Sequence, residues 1–367
     1  MNILFICNTN YQLIMSLQMR FTIFKDDVIY IFISDHIKGG ILIQERLRNS
    51  SIVEDVYYGE SKSLIYGHTG KIQYFKDSFK AATGIRRTFW GIPEKLYIDR
   101  MFYYNADIAT YTIYSSLYNN NRNMKCSRFE EGMLSYNVVS KAGKTSVFNG
   151  RVRAAEKMSH FLNKHSLEQD TDSFYAVYPE LYNGKLNTFR IPKIDTNGSE
   201  LKSVLKYIYS IGDEVYEDYK DKKYIYFACT LDFEGANPIG EIDLIKQVCT
   251  VVGKDNVVIK IHPRDDEKRF INEGLTVARG ASIPWEAIQL NGDFSDKIFL
   301  ATLTQSVLGV NPLLVNPIET YYLYNLVNFS LNELAVGLVE NLEKAIKCSN
   351  FDFIHVPNSL EDFEMND

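Results

Sequence analysis

NILFIC, residues 2–7, is a nearly continuous apolar run that ends at the polar residues NTN, 8–10. Beyond it, apolar side chains recur at helical spacing: Leu13, Leu17, Phe21 and Phe24. An apolar strand followed at once by a helix is typical of a parallel sheet that is covered on both faces. Three further segments continue the alternation as strand, helix and strand: 28–33, 41–47 and 53–57. The first part of the chain is therefore predicted to be an α/β domain.

A second series of the same kind occupies the C-terminal half. Its predicted strands are 224–229, 257–261 and 297–300. Its predicted helices are 241–252, one that opens within 305–313, and 331–347. In the first series, residues 98–118 are predicted to hold a strand at Ile108–Tyr111 and a short helix.

The two series are separated by a polar, turn-forming stretch at 192–199, which is the best candidate for a linker. The predicted organisation is a Rossmann-like domain over 1–195, a second over 200–347 and a C-terminal tail over 348–367. A chain of 367 residues is long enough for two cores, since domains commonly run to about 100–200 residues. Two Rossmann-like domains facing across a cleft form the GT-B architecture, the α/β fold class predicted here.

Composition limits the functional classes. The formal net charge of -6 argues against nucleic acid as the main partner, because binding to a phosphate backbone usually requires a basic surplus. The N-terminal apolar run ends at Asn8, far short of the ~20 residues that cross a bilayer, and no signal-peptide pattern precedes it. The five cysteines are scattered without CxxC spacing, which favours reduced thiols over a disulfide framework or zinc site. These features predict a soluble cytoplasmic protein.

His262 is the first candidate for chemistry. It follows the predicted strand 257–261, and doubly wound sheets bind their ligands at the carboxyl ends of strands. Lys260 and Arg264 flank it and Pro263 constrains the turn, a set that suits an anionic ligand. A histidine there is able to donate a proton or a hydrogen bond to a departing phosphate. The alternative is a loop histidine that precedes a helix beginning at residues 265–267.

A pair of carboxylates, Glu130 and Glu131, precedes Gly132 after a short apolar segment. A carboxylate beside a glycine turn can stand at a cleft edge and act as a general base on a hydroxyl. The alternative is an exposed turn with two solvated carboxylates. Asp232, which follows the first predicted strand of the second domain, competes for the role of base.

Three motifs occur in the order EEG at 130–132, HP at 262–263 and TQS at 304–306. They resemble the motifs of bacterial sialyltransferases: an acidic pair followed by Gly, a His-Pro pair and a Ser-Ser/Thr pair. Segments 5–13 and 283–286 are similar to the first strand and loop, and to a Pro-x-Glu segment, of glycosyltransferase family 52, the lipooligosaccharide sialyltransferases. Gln305 departs from the third motif, so either Thr304 with Ser306 supplies the hydroxyl pair or the alignment shifts by one. The resemblance does not cover the region 140–197.

The resemblance implies an inverting sialyltransferase that moves sialic acid from CMP-sialic acid to a galactose-type hydroxyl of a surface glycan. It implies Glu130 as the base, ahead of Glu131 and Asp232, and His262 as the group that stabilises the departing phosphate. The implied donor-binding set belongs to the C-terminal domain: Lys260, Pro263, Arg264, Pro284, Glu286, Thr304, Gln305 and Ser306. The implied acceptor- and sugar-binding set belongs to the N-terminal domain: Asn8, Thr9, Asn10, Tyr11 and Gln12.

The chain has neither a Walker-type nor a GxGxxG motif, which argues against binding of adenine nucleotides or dinucleotides. No cofactor and no metal are expected; helix ends and hydroxyls would bind the phosphate instead. The expected partners are a nucleotide-sugar donor and a glycan acceptor, with peripheral contact at the inner membrane and a homodimer implied by the resemblance. Two alternatives stay open: a GT-B transferase with another nucleotide sugar, and a non-catalytic glycan-binding or assembly protein. The linkage, 2,3, 2,6 or 2,8, is also open.

Overall fold

Seven parallel strands form the sheet of the first unit of the computed structural model, Met1–Pro192. In spatial order they are β3 (Asp55–Gly59), β2 (Val28–Ser34), β1 (Asn2–Cys7), β4 (Arg100–Tyr103), β5 (Lys125–Phe129), β6 (Thr171–Ala176) and β7 (Asn187–Arg190). The helices of this unit are α1 (Asn10–Thr22), α2 (Gly40–Ser50), α3 (Lys71–Thr83), α4 (Ile108–Asn120) and α5 (Gly150–Asn163).

The structure describes residues 1–62, 71–84, 90–136, 150–163, 165–197, 200–229, 237–262, 265–279, 283–302, 304, 307, 309–330, 343, 346–347 and 351–362. Several predicted features lie outside these residues: Asp232, Pro263, Arg264, Gln305, Ser306 and most of the predicted helix 331–347. Within the described part of the chain, no helix combines the length and the apolar character needed to cross a membrane.

The central strand β1 is buried on both faces, as its apolar run predicts. Phe5 is fully buried and its ring stacks on that of Phe102 in β4, with centroids 4.7 Å apart. Leu4 and Ile6 pack into a separate cluster on the other face of the sheet. Burial on both sides removes any alternation of polar and apolar residues along the strand, which explains the continuous apolar sequence.

One predicted strand is wrong. Ile108–Tyr111 forms the first turn of α4, which begins after Asp107, whose Oδ1 accepts a hydrogen bond from the Thr110 amide at 2.7 Å. Every residue from Ile108 to Tyr118 is buried, so the helix has no polar face and its sequence lacks a helical period. The strand of this region is β4, which precedes the predicted position.

The second unit, Lys193–Asp367, has a parallel sheet of five strands. In spatial order they are β10 (Val257–Lys260), β8 (Tyr224–Phe227), β11 (Ile298–Ala301), β12 (Thr320–Tyr322) and β14 (Ile354–His355). A two-stranded antiparallel ribbon pairs β9 (Asn237–Ile239) with β13 (Asn328–Ser330). The helices are α6 (Glu200–Tyr209), α7 (Glu217–Lys220), α8 (Glu241–Val252), α9 (Lys268–Ile271) and α10 (Trp285–Asn291). β14 lies in the segment predicted as a tail and pairs with β12.

Each sheet contains a point where the strand order reverses. In the first unit the chain runs outward from β1 to β3 and then returns to β4, so β1 and β4 are neighbours. In the second unit β8 lies between β10 and β11. Open α/β sheets bind ligands at the carboxyl ends of the strands at such switch points. The loops after β1 and β4, and those after β8 and β11, are therefore the expected ligand-binding positions of the two sheets.

Candidate active site

The loop after β1 is held by its own side chains. Thr9 caps α1, its Oγ1 accepting a hydrogen bond from the Gln12 amide at 3.2 Å. The Asn8 amide donates to Gln12 Oε1 at 2.6 Å. Asn8, Thr9 and Asn10 are partly exposed, whereas Tyr11 and Gln12 are buried. Of the five residues predicted to contact sugar or acceptor, only the first three thus present accessible surface at this sheet edge.

Glu130, ranked first as the base from sequence, is fully buried. Its Oε1 accepts a hydrogen bond from the Tyr11 hydroxyl at 2.7 Å, and its Oε2 accepts from the Tyr136 hydroxyl and from the Val177 amide at 2.8 Å. Burial raises the pKa of Glu130, against the opposing effect of these three hydrogen bonds. A carboxylate with both oxygens engaged and no accessible surface is suited to holding three segments together rather than to meeting a substrate.

Glu131 is partly exposed at the same strand end. Burial raises its pKa to about 7, while the polar groups of Thr9 and Gln12 and the nearby Arg128 guanidinium act in the opposite direction. Gly132, with φ +70°, then turns the chain through the left-handed region that favours glycine. A general base is most effective when its pKa lies near the working pH. Glu131 therefore has the accessibility that Glu130 lacks, together with a pKa suited to a general base.

Substituting Glu130→Ala is expected to lower the free energy of unfolding by about 3–5 kcal/mol, because the change opens a cavity and leaves two tyrosine hydroxyls and an amide without their acceptor. Urea unfolding followed by circular dichroism measures this loss. The matched control is Glu131→Ala, which removes a partly exposed carboxyl and should cost far less. Equal unfolding midpoints for the two variants would contradict a structural role for Glu130.

In the second unit, His262 follows β10 and is partly exposed. The Asp265 amide donates a hydrogen bond to the His262 carbonyl at 2.9 Å. Asp265 in turn forms an ion pair with Arg269 at 3.3 Å, and Arg269 donates to Glu241 at 2.9 Å. Glu241 also accepts from the Cys229 amide at 3.0 Å, beyond the end of β8. Through these contacts, His262 is linked to α8 and to the switch point.

The buried pair of Arg269 and Glu241 predicts a pH-dependent stability. Arg269→Met would leave Glu241, only 2% exposed, without its counter-ion, and breaking such a pair costs about 3–5 kcal/mol. Burial already raises the pKa of Glu241, so lowering the pH protonates it and should shrink the loss. Urea unfolding of wild type and Arg269→Met measures the loss of stability at pH 8 and at pH 5.

The double variant Glu241→Gln with Arg269→Met provides the control for that experiment. Measured against Glu241→Gln alone, which lacks the buried carboxylate, the loss of Arg269 should lower the free energy of unfolding much less. That loss should also no longer depend on pH. A loss of the same size at both pH values in the single variant would refute the assignment.

Lys260 and Glu286 bring opposite charges near each other within the second unit. Burial lowers the pKa of Lys260 to about 8, while Glu286 opposes this shift. Burial likewise raises the pKa of Glu286, and its own backbone amide and Lys260 oppose the change. Glu286 lies in the first turn of α10, directly after Pro284 and Trp285. Two members of the predicted donor-binding set are thus electrostatically coupled.

The loops after β8 and β11 meet at the switch point of the second unit. Cys229 Sγ lies 2.7 Å from Thr302 Oγ1. Thr304 follows, partly exposed, and its carbonyl accepts a hydrogen bond from the Tyr322 hydroxyl at 3.3 Å. Thr304 is the one residue of the predicted TQS motif that the structure describes, and it stands at the edge where doubly wound sheets bind their ligands.

An Asp-x-Asp pattern occurs at Asp170–Asp172, a spacing that in other proteins serves metal binding. Asp172 pairs with Arg100 at 2.8 Å, and Asp170 accepts from Tyr114. Both carboxylates lie at the amino end of β6, the edge opposite to Glu131. Among the described residues, no three His, Cys, Asp or Glu side chains are grouped closely enough to hold a metal ion.

The chain matches a known protein family over most of its length. Residues 3–288 match the family described as Alpha-2,8-polysialyltransferase (POLYST). The chain belongs to this family. The matched span includes the loop after β1, the EEG turn, His262 and Glu286. A comparison with curated proteins finds no match.

Solved structures show the fold of this polysialyltransferase-family chain. An alpha/beta-galactoside alpha-2,3-sialyltransferase from Photobacterium phosphoreum has 11% identity, 97% coverage of both chains and a TM-score of 0.50. The glycotransferase of kitacinnamycin has 9% identity, covers 97% of this chain and 86% of its own, and has a TM-score of 0.50. At such identities the likeness concerns the fold alone. The predicted GT-B fold class is confirmed.

Several residues that shape the site were missed by sequence reasoning. They contribute hydrogen bonds or charge to the site: Tyr136, Val177, Glu241 and Arg269. Val177 follows β6, and Glu241 opens a helix that was predicted correctly. Neither position carries a spacing signal, since their partners come from other segments of the polysialyltransferase-family chain.

Proposed function

We propose that this chain transfers sialic acid from CMP-sialic acid to a hydroxyl of a surface glycan, without a metal ion. The observation that carries the proposal is Glu131, a partly exposed carboxyl at the carboxyl-end edge of the first sheet, with a pKa raised to about 7 and within the span of the family match. Such a group can take the proton of an acceptor hydroxyl at neutral pH.

In the proposed reaction, the acceptor oxygen forms a bond to the anomeric carbon as Glu131 takes its proton. The bond from that carbon to the phosphate oxygen breaks, and its electron pair stays on CMP. His262 stabilises this developing charge by a hydrogen bond or a proton. Thr304 and Lys260 would hold the phosphate, and Glu286 with Pro284 would contact ribose or cytosine. Most of the acceleration would come from positioning and from the electrostatics of the leaving group.

The acceptor has two candidates. The resemblance of the sequence favours a galactose-type hydroxyl. The description of the matched family, alpha-2,8-polysialyltransferase, favours a hydroxyl on a terminal sialic acid. Both use the same donor and base, so the choice concerns the acceptor and the number of residues added.

Product analysis tests the proposal. The protein is incubated with CMP-sialic acid and either lactose or sialyllactose, and the products are identified by mass spectrometry and linkage analysis. We expect transfer to at least one acceptor, together with thermal stabilisation by CMP. Stabilisation by UDP or GDP instead would favour another donor. Absence of both transfer and nucleotide binding would favour a non-catalytic glycan-binding or assembly protein.

Finer features of the biology belong to the same proposal. The similarity of segments 5–13 and 283–286 to family 52 favours a lipooligosaccharide or a capsule as the glycan. The proposed location is the cytoplasm, with peripheral contact at the inner face of the membrane, and the proposed assembly is a homodimer. Membrane flotation and size-exclusion chromatography with light scattering test these two points.

A further inference from the structure

Arg128, the penultimate residue of β5, has an unusual environment for an arginine. Its side chain is partly buried, and its guanidinium lies over the ring of Tyr104, 5.0 Å from the centroid. Within the residues that the structure describes, it forms neither a hydrogen bond nor an ion pair, and its Nε is buried without a hydrogen-bond partner. By contrast, Arg100 of the same sheet pairs with Asp172 at 2.8 Å.

The position of Arg128 is that of a ligand-binding residue. It lies at the carboxyl end of β5, and Tyr104 directly follows β4, one of the two strands at the switch point. Removing a guanidinium from water without a partner is costly, so a site of this kind is normally completed by an anion. An arginine that is stacked on an aromatic ring keeps its planar fork of donors available for a carboxylate.

Glu131, an acidic group influenced by the charge of Arg128, does not complete the site. Arg128 is close enough to lower the pKa of Glu131, yet the two side chains form no ion pair, and the pKa of Glu131 remains at about 7. The charge of Arg128 also lowers the pKa values of Tyr103, Tyr104 and Tyr182, against the larger effect of burial on each. The guanidinium therefore stands among hydroxyl-bearing aromatic side chains and beside the candidate base, with its donors unengaged.

We propose that Arg128 binds the carboxylate of a sialyl substrate, with the ring of Tyr104 packed against one face of the guanidinium. This inference rests on the proposed function and deepens it. The carboxylate has two sources, a terminal sialic acid on the acceptor and the sialyl group of the donor. In either case the anion neutralises Arg128 beside Glu131, which would raise the basicity of that carboxyl once the substrate is bound.

Steady-state kinetics of wild type, Arg128→Gln and Arg128→Lys test the proposal with three acceptors: sialyllactose, its carboxyl methyl ester and lactose. If the acceptor supplies the carboxylate, wild type prefers sialyllactose to its ester, and Arg128→Gln abolishes this preference by raising the KM for sialyllactose about 10–100-fold. If the donor supplies it, Arg128→Gln raises the KM for CMP-sialic acid by a similar factor with every acceptor. Arg128→Lys keeps the positive charge but not the planar pair of N–H donors. Its KM values should therefore lie between those of wild type and Arg128→Gln.

The controls separate this site from its surroundings. Arg122→Gln removes another arginine that lies over a tyrosine ring, 4.9 Å from the centroid of Tyr118, and should leave both KM values unchanged. Rates are compared on the high-pH plateau, because loss of Arg128 also raises the pKa of Glu131. Unchanged KM values for donor and acceptors in Arg128→Gln would overturn the inference. No turnover of CMP-sialic acid by wild type with any acceptor would instead sink the proposed function.

Discussion

Replacing Glu131 with Gln is expected to reduce kcat for sialyl transfer by about 10²–10⁴-fold, the usual contribution of general acid–base catalysis. Glutamine keeps the shape of the side chain, but it cannot accept the proton of the acceptor hydroxyl. Initial rates of CMP release with saturating acceptor measure the change. The fold should be intact, since Glu131 is only partly buried.

The pH dependence of wild type belongs to the same prediction. A base must be deprotonated to act, so kcat/KM should rise as the pH increases toward 7 and level off above it. Glu131→Gln should lack this limb. Glu130→Gln is the control: a buried neighbour with its own hydrogen bonds, it should lose stability but keep the pH limb. Loss of the limb in Glu130→Gln and its retention in Glu131→Gln would reverse the assignment of the base.

Stability should change in the opposite direction to activity. The pKa of Glu131 in the folded state, about 7, is raised above its ordinary value of 4.5. Its contribution to the free energy of unfolding is therefore fully present below pH 4.5 and is lost as the pH rises through 7. Glutamine is uncharged at every pH, so Glu131→Gln should unfold at higher urea than wild type at pH 8. At pH 4 the two midpoints should converge.

Replacing His262 with Ala is expected to reduce kcat by about 10²–10³-fold, the cost of losing one donor to a developing negative charge. His262 stands at the carboxyl end of β10, and its carbonyl accepts a hydrogen bond from the Asp265 amide, a backbone contact that the substitution leaves in place. His262→Asn keeps one N–H donor and should retain part of the rate. CMP release with saturating donor and acceptor provides the measurement.

The matched control for this second substitution is His36→Ala, which changes an exposed histidine of the first unit. It should have the kinetics of wild type. Circular dichroism and the urea midpoint establish that His262→Ala is folded. A kcat within threefold of wild type in folded His262→Ala would exclude a role in stabilising the leaving phosphate.

Amino-acid sequence by itself determined the parts of the molecule in which local pattern and burial agree. The run at residues 2–7 is β1 because apolar residues on both faces suit only a covered strand. The predicted helix 241–252 is α8, whose buried residues recur at helical spacing on one side. The pattern gave a wrong prediction at Ile108–Tyr111, because a helix that is buried on all sides shows no helical period of apolar residues.

Tertiary structure alone decided which of the two motif carboxylates is accessible. Glu130 and Glu131 are adjacent and chemically identical, but as the chain leaves β5 their side chains enter different surroundings. Glu130 meets Tyr11, 119 positions away in the chain, whereas Glu131 remains beside Thr9 and Arg128 at the sheet edge. Partners so distant leave no spacing signal, because sheet topology rather than sequence proximity brings them together. The same reason hid the contact of the Arg128 guanidinium with the ring of Tyr104, a residue of another strand end.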